Sequence, residues 1–131
     1  MSDRHLDSLE TWEKTLNRLG EALDRESSDR INKDASIQRF EFSFELGWKA
    51  LKYCLQVEGR EMQTPREVLK EAFRIRWIID EGAWLQMLTD RNLSSHTYDE
   101  SLADAVYSRL DQHLQQMHSL LLRLKSRFSS G

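Results

Sequence analysis

The stretch Ile37-Gln-Arg-Phe40-Glu-Phe-Ser-Phe44-Glu-Leu-Gly-Trp48-Lys-Ala-Leu51-Lys-Tyr-Cys-Leu55 decides the fold class of this chain. Ile37, Phe40, Phe44, Trp48, Leu51 and Leu55 recur at steps of three and four, the spacing that stacks side chains along one face of an α-helix. The run predicts a helix from about Asn32 to near Gly59. Phe42, Leu46, Tyr53 and Val57 fall off that stripe, so the helix is apolar over more surface than one neighbour would cover. Such a helix lies at the centre of a bundle or in a subunit interface.

Working outward, the same periodicity appears on both sides. Upstream, Leu9, Trp12, Leu16, Leu19 and Leu23 make one stripe from Leu6 onward, ended by the polar stretch Glu26 to Asp29. Downstream, Thr64, Pro65 and Glu67 form a helix start: a hydroxyl cap, a proline at the first helical position and an acid at the third. Val68, Leu69, Ala72, Phe73 and Ile75 are expected on the buried side of this third helix. A connection around Ile78 to Glu81 leads to a fourth helix with Trp84, Leu85 and Leu88. A last stripe, Leu102, Val106, Leu110, Leu114, Met117, Leu121, Leu124 and Phe128, predicts a long helix from about Asp99 to Arg127, capped by Thr97 with Glu100 or by Ser101 with Asp104.

With one proline and five glycines in 131 residues, the reading is all-α: a four-helix up-and-down bundle with an additional short helix. It is a single domain over 1–131 with an ordered core of about 4–128. The net charge of −3 is spread as interspersed acids and bases, which excludes a broad basic surface and leaves room only for local contacts with RNA. Cys54, the only cysteine, sits in an apolar helical run where a reduced buried thiol is expected. No signal-like segment opens the chain and no apolar run approaches the roughly 20 residues a membrane helix needs, so a cytoplasmic setting without membrane contact is expected.

Chemistry concentrates in the octet Arg91-Asn-Leu-Ser-Ser-His-Thr-Tyr98. Arginine offers a planar fork of donors to phosphate oxygens, and histidine exchanges a proton near neutral pH. Five residues apart on a continuous helix, Arg91 and His96 would point about 140° away from each other. A break between Asn92 and Ser95 would let both reach one cleft, and the paired serines favour it. On these residues alone a structural reading stands beside the catalytic one: Arg91 pairs with Asp90 or Asp99, His96 makes a turn hydrogen bond and Tyr98 packs on a neighbour.

The other candidates are weaker. His113 and His118 have the wrong spacing for a two-histidine metal face and are expected at the surface or in an interface. Glu41 and Glu45 are expected to pair with Arg39 or Lys49, and Trp12, Trp48, Trp77 and Trp84 to lie in the core or an interface. Neither a metal site nor a glycine-rich phosphate loop is visible, so no cofactor is expected.

Four ordered segments carry a resemblance: Arg39-Phe-Glu-Phe-Ser-Phe-Glu-Leu-Gly-Trp48-Lys, Thr64-Pro-Arg-Glu-Val-Leu-Lys-Glu-Ala-Phe73, Trp84-Leu-Gln-Met-Leu-Thr-Asp-Arg-Asn92 and Ser95-His-Thr-Tyr98. Together they resemble the nucleotidyltransferase substrate-binding family within the HEPN superfamily. The resemblance implies a homodimeric helical bundle that acts as the toxin of a toxin-antitoxin pair, with a cognate minimal nucleotidyltransferase as antitoxin. In that branch Arg-x4-His-x-Tyr is a metal-independent endoribonuclease motif, which Arg91, His96 and Tyr98 fit without a gap. It casts Arg91 as phosphate clamp, His96 as general acid or base, Asn92 as polar orienter, Ser95 as a supporting residue and Tyr98 as the side chain that receives a nucleotidyl group. The resemblance also admits a non-catalytic alternative, a substrate-binding subunit of a two-component nucleotidyltransferase.

Overall fold

The computed structural model describes residues 3–25 and 29–128, which form five α-helices. They are α1 (Arg4–Leu23), α2 (Arg30–Val57), α3 (Pro65–Arg74), α4 (Glu81–Leu93) and α5 (Glu100–Phe128). A short 3₁₀ turn, Ser94–His96, follows α4. The start of α1 meets the far ends of both long helices: Arg4 stacks over Tyr53, and His5 meets Phe128 edge to face. Arg30 reaches Asp104 at one end of α2 and Arg127 reaches Glu58 at the other, so α2 and α5 run in the same direction. The legs thus alternate, with the third leg split into α3 and α4, and the expected four-helix up-and-down bundle with an extra short helix is what forms.

Local chemistry sets the boundaries. Asp29 Oδ1 accepts from the Ile31 amide, Thr64 Oγ1 from the Glu67 amide and Asp80 Oδ1 from the Ala83 amide, each satisfying a donor that a helix start leaves orphaned. Gly59, at φ 78°, turns the chain after α2 in the left-handed region that a side chain disfavours. Of the predicted break at Glu26 to Asp29, residues 26–28 lie outside the described residues. The cap of α5 differs from expectation: Asp99 Oδ1 accepts from the Leu102 amide, not Thr97 or Ser101. Three polar residues compete there with similar capping propensity, and only the turn after the 3₁₀ segment decides among them.

α2 packs against α1, α3, α4 and α5 and is the central helix, while Phe42 and Val57 on its wide apolar surface stay exposed. Ile37, Phe40, Phe44, Leu51, Cys54 and Leu55 are buried, and burial pushes the Cys54 thiol up to about 12, so it stays protonated. Gly47 lets α1 approach closely, since a Cβ there would stand 2.7 Å from the Trp12 ring. All four tryptophans are buried. Two expectations fail. Phe73 is 41% exposed, because the buried side of α3 is narrow and consists of Val68, Leu69 and Ala72. His113 is buried and stacks on Phe40, its ring centroid 5.2 Å away. None of the described helices is long and apolar enough to cross a membrane.

Candidate functional site

α4 ends within the octet, as the paired serines suggested, and the reason is a side chain from another helix. The Ser94 hydroxyl lies 2.7 Å from the Arg91 carbonyl oxygen and 2.8 Å from Glu41 Oε2 on α2. Its single proton serves one acceptor at a time, and both draw the chain into the 3₁₀ turn. The octet therefore crosses a helix junction laid against the middle of α2.

Arg91 projects from the last turn of α4, and its Nη1 stands 2.6 Å from Glu45 Oε1. Glu45 is itself oriented by the Trp48 indole, which donates to Oε2 at 3.3 Å. The guanidinium carbon sits 5.9 Å from the centre of the Phe44 ring, so a carboxylate and an aromatic ring fix its position. Arg91 thus pairs with neither Asp90 nor Asp99, and Glu45 pairs with neither Arg39 nor Lys49. Four residues apart on α2, Glu41 and Glu45 hold Ser94 and Arg91 respectively.

His96 and Tyr98 form the exposed half of the site. His96 Nδ1 is 3.0 Å from the Tyr98 hydroxyl, and the two rings meet edge to face at 5.6 Å. Tyr98 is 82% exposed. Among the described residues His96 Nε2 has no hydrogen-bond partner. Asn92 and Ser95 are exposed on the same junction, and no hydrogen bond joins Arg91 to His96. Among the described residues, no group of three or more His, Cys, Asp or Glu is placed to hold a metal ion.

Behind the junction lies a polar cluster that the sequence did not reveal. Asp90, fully buried beside Arg91, accepts from Arg109 Nε at 2.8 Å and Nη2 at 2.7 Å, and stands 2.7 Å from His113 Nε2. Burial alone would raise the Asp90 carboxyl, but the hydrogen bonds and charges of Arg109 and His113 outweigh it and hold the group below the ordinary carboxylate range. The pairing locks the end of α4 to α5. A sequence signal existed: Val106, His113 and Leu120 stand seven apart, which puts the histidine on the buried stripe of α5.

Comparison with known proteins agrees with this fold and these segments. The family model described as nucleotidyltransferase substrate binding protein like matches residues 7–126. A Haemophilus influenzae protein named probable ribonuclease HepT is 36% identical over 97 residues, which span 70% of this chain and 66% of that protein, just under two thirds of its length. A crystal structure of a Thermus thermophilus protein superposes with a TM-score of 0.83 at 38% identity, covering 87% of this chain and 98% of its own. A Haemophilus influenzae structure, described as revealing the fold of a substrate binding domain of a nucleotidyltransferase, gives a TM-score of 0.69 at 29% identity and covers 92% of this chain and 96% of its own. With nearly its whole length matched by the family model and its helices matched by solved relatives, the chain belongs to the nucleotidyltransferase substrate-binding family.

Proposed function

We propose that this protein is a HEPN-type endoribonuclease toxin, neutralised by a cognate minimal nucleotidyltransferase that modifies Tyr98. The observation that carries the reading is the 3.0 Å contact between His96 Nδ1 and the Tyr98 hydroxyl on an exposed turn one helix end away from Arg91. In this mechanism the RNA 2′-hydroxyl attacks the adjacent phosphorus, forming a cyclic phosphate and expelling the 5′-oxygen of the next nucleotide. His96 moves a proton, and Arg91 neutralises charge building on the phosphoryl oxygens. Asn92 and Ser95 offer further polar contacts to the strand. A nucleotidyl group on the Tyr98 oxygen would place a bulky anion against the catalytic imidazole and block RNA by occupancy and charge. The relative named probable ribonuclease HepT favours this reading.

Cleavage needs one proton removed from the nucleophile and one given to the leaving group, yet each chain supplies one His96. A symmetric homodimer would bring two octets to one groove. Ile31, 77% exposed at the start of α2, shares a surface hollow with Ser94 and Thr97 and offers apolar area beside the octet for a second copy.

The alternative is a substrate-binding subunit of a two-component nucleotidyltransferase, favoured by the family description and by the solved relative described in those terms. The exposed Tyr98 serves both readings; only the first requires His96 to ionise during turnover. The deciding experiment is cleavage of cellular RNA in excess chelator by the native chain and by His96→Ala. Cleavage by the native chain alone is expected. Equal cleavage by both would remove His96 from the mechanism, and no cleavage by an unmodified native chain would leave the binding subunit as the reading.

A further inference from the structure

On the α1 side of α2, Lys14, Arg18, Arg39 and Phe42 line one cavity of about 260 Å³, with Thr15 and Leu46 among its walls and no carboxylate lining it. Phe42 is 63% exposed, whereas Phe40 and Phe44 on the same helix are fully buried. Arg30, Arg60, Arg74, Arg91, Arg109 and Arg127 all have acidic partners. Arg18 and Arg39 have none within 4 Å among the described residues. Lys14 has only a loose contact with Glu10 at 3.9 Å, with both side chains largely in solvent. Arg66 and Arg76 also lack an acidic partner among the described residues, but in a chain of net charge −3 it is the meeting of three cations and an exposed aromatic side chain at one carboxylate-free cavity that sets this surface apart.

We propose that this cavity is a nucleotide subsite for single-stranded RNA, in which Phe42 stacks on a base and Lys14, Arg18 and Arg39 hold the flanking phosphates. The proposal rests on the nuclease reading and extends it. Phe42 lies about one helical turn from Glu45, the residue that holds Arg91, so a strand of a few nucleotides laid across α2 from the cavity would lead toward the octet. A second copy of the chain is a poorer occupant, because a two-fold axis through this patch would set Arg18 and Arg39 against their own equivalents.

The test measures binding apart from cutting. A fluorescently labelled single-stranded RNA octamer is titrated by anisotropy, over a salt series, with full-length protein carrying His96→Ala. Adding Arg18→Gln and Arg39→Gln is expected to weaken binding about tenfold at low salt. The slope of log affinity against log salt should shrink by about 1.4, or roughly 0.7 for each phosphate no longer neutralised. Adding Phe42→Ala is expected to weaken binding about 5- to 150-fold with the slope unchanged, as loss of stacking requires. All three positions are exposed, and matching melting curves check that the variants fold. Affinity indifferent to these changes, or no binding by the His96→Ala protein at all, would overturn the subsite. So would sedimentation in which Phe42→Ala turns a dimer into a monomer at unchanged RNA affinity, which would assign the ring to a subunit contact. Binding with the expected losses by a native chain that never cuts would sink the nuclease reading and leave the subsite standing.

Discussion

Glu45 Oε1 stands 2.6 Å from Arg91 Nη1, so the guanidinium proposed to receive a phosphate is already held by a carboxylate from the central helix. The pair is partly exposed at both ends, which keeps its worth to about 1 kcal/mol or less. It orients the fork while competing with any incoming anion. Glu45→Gln retains an oxygen that can accept from Arg91 and removes the competing charge. RNA affinity is expected to rise several-fold, with the melting temperature changed by no more than about 3 °C. A titration in which Glu45→Gln binds RNA more weakly than the native chain would show that the carboxylate serves only to position Arg91.

Tyr98→Phe separates the two uses of the tyrosine. The side chain is 82% exposed, so losing its hydroxyl should leave the melting temperature unchanged. It removes the oxygen 3.0 Å from His96 Nδ1, which is also the proposed acceptor for a nucleotidyl group. Incubated with its partner enzyme and nucleotide, the variant is expected to gain no mass, and its RNA cleavage should persist where that of the modified native chain is lost. Mass addition at another residue would move the switch away from Tyr98.

The parts of this molecule that are legible in sequence are those governed by neighbours in the chain. The α2 stripe and the Thr64-Pro65-Glu67 start each depend on residues within a few positions of one another, and the paired serines mark the break inside the octet, although the Glu41 contact made there comes from α2. Contacts that depend on helix rotation and register are not legible. Glu45 meets Arg91, and Asp90 meets Arg109 and His113, because α2, α4 and α5 pack in one particular phase. Sequence offers Asp90 only as a partner for its neighbour Arg91, since spacing along one helix cannot reveal a base delivered by another. The expectation for Phe73 fails for a related reason: a ten-residue helix on the outside of a bundle buries a strip narrower than its apolar residues could fill.

Gly47 is a site where one methyl group should matter. A Cβ there would lie 2.7 Å from Trp12 Cε2 and Cζ2, and Trp12 is fully buried, so the ring has nowhere to retreat without moving α1. Although alanine favours helix by roughly 1 kcal/mol over glycine, overpacking at this contact is expected to dominate. Gly47→Ala should destabilise the fold by about 1–3 kcal/mol, read from denaturant unfolding. An unchanged midpoint would mean that the two helices are more loosely packed than the contact implies.

The buried cluster should make stability depend on acid. Asp90 is held below the ordinary carboxylate range by Arg109 and His113, so its contribution is complete above the unfolded-state value near 4 and is lost as pH falls through its lower folded value. Glu71, lowered to about 2 chiefly by its hydrogen bond with Arg74 and also by Arg60, adds a loss in the same direction between about 4.5 and 2. Asp90→Asn keeps the shape but leaves Arg109 without its counter-charge and one acceptor short. At neutral pH it is expected to cost about 3 kcal/mol, or roughly 10 °C in melting temperature. The gap between native and variant should then narrow as pH falls from 5 toward 2, because acid removes from the native chain the charge that the substitution has already removed. Unfolding curves collected over that range check the sign: a gap that stays constant would mean that Asp90 contributes through shape and hydrogen bonding alone. A narrowing gap would establish its ionised carboxylate as the tie between the end of α4, where Arg91 is mounted, and the long helix α5 behind it.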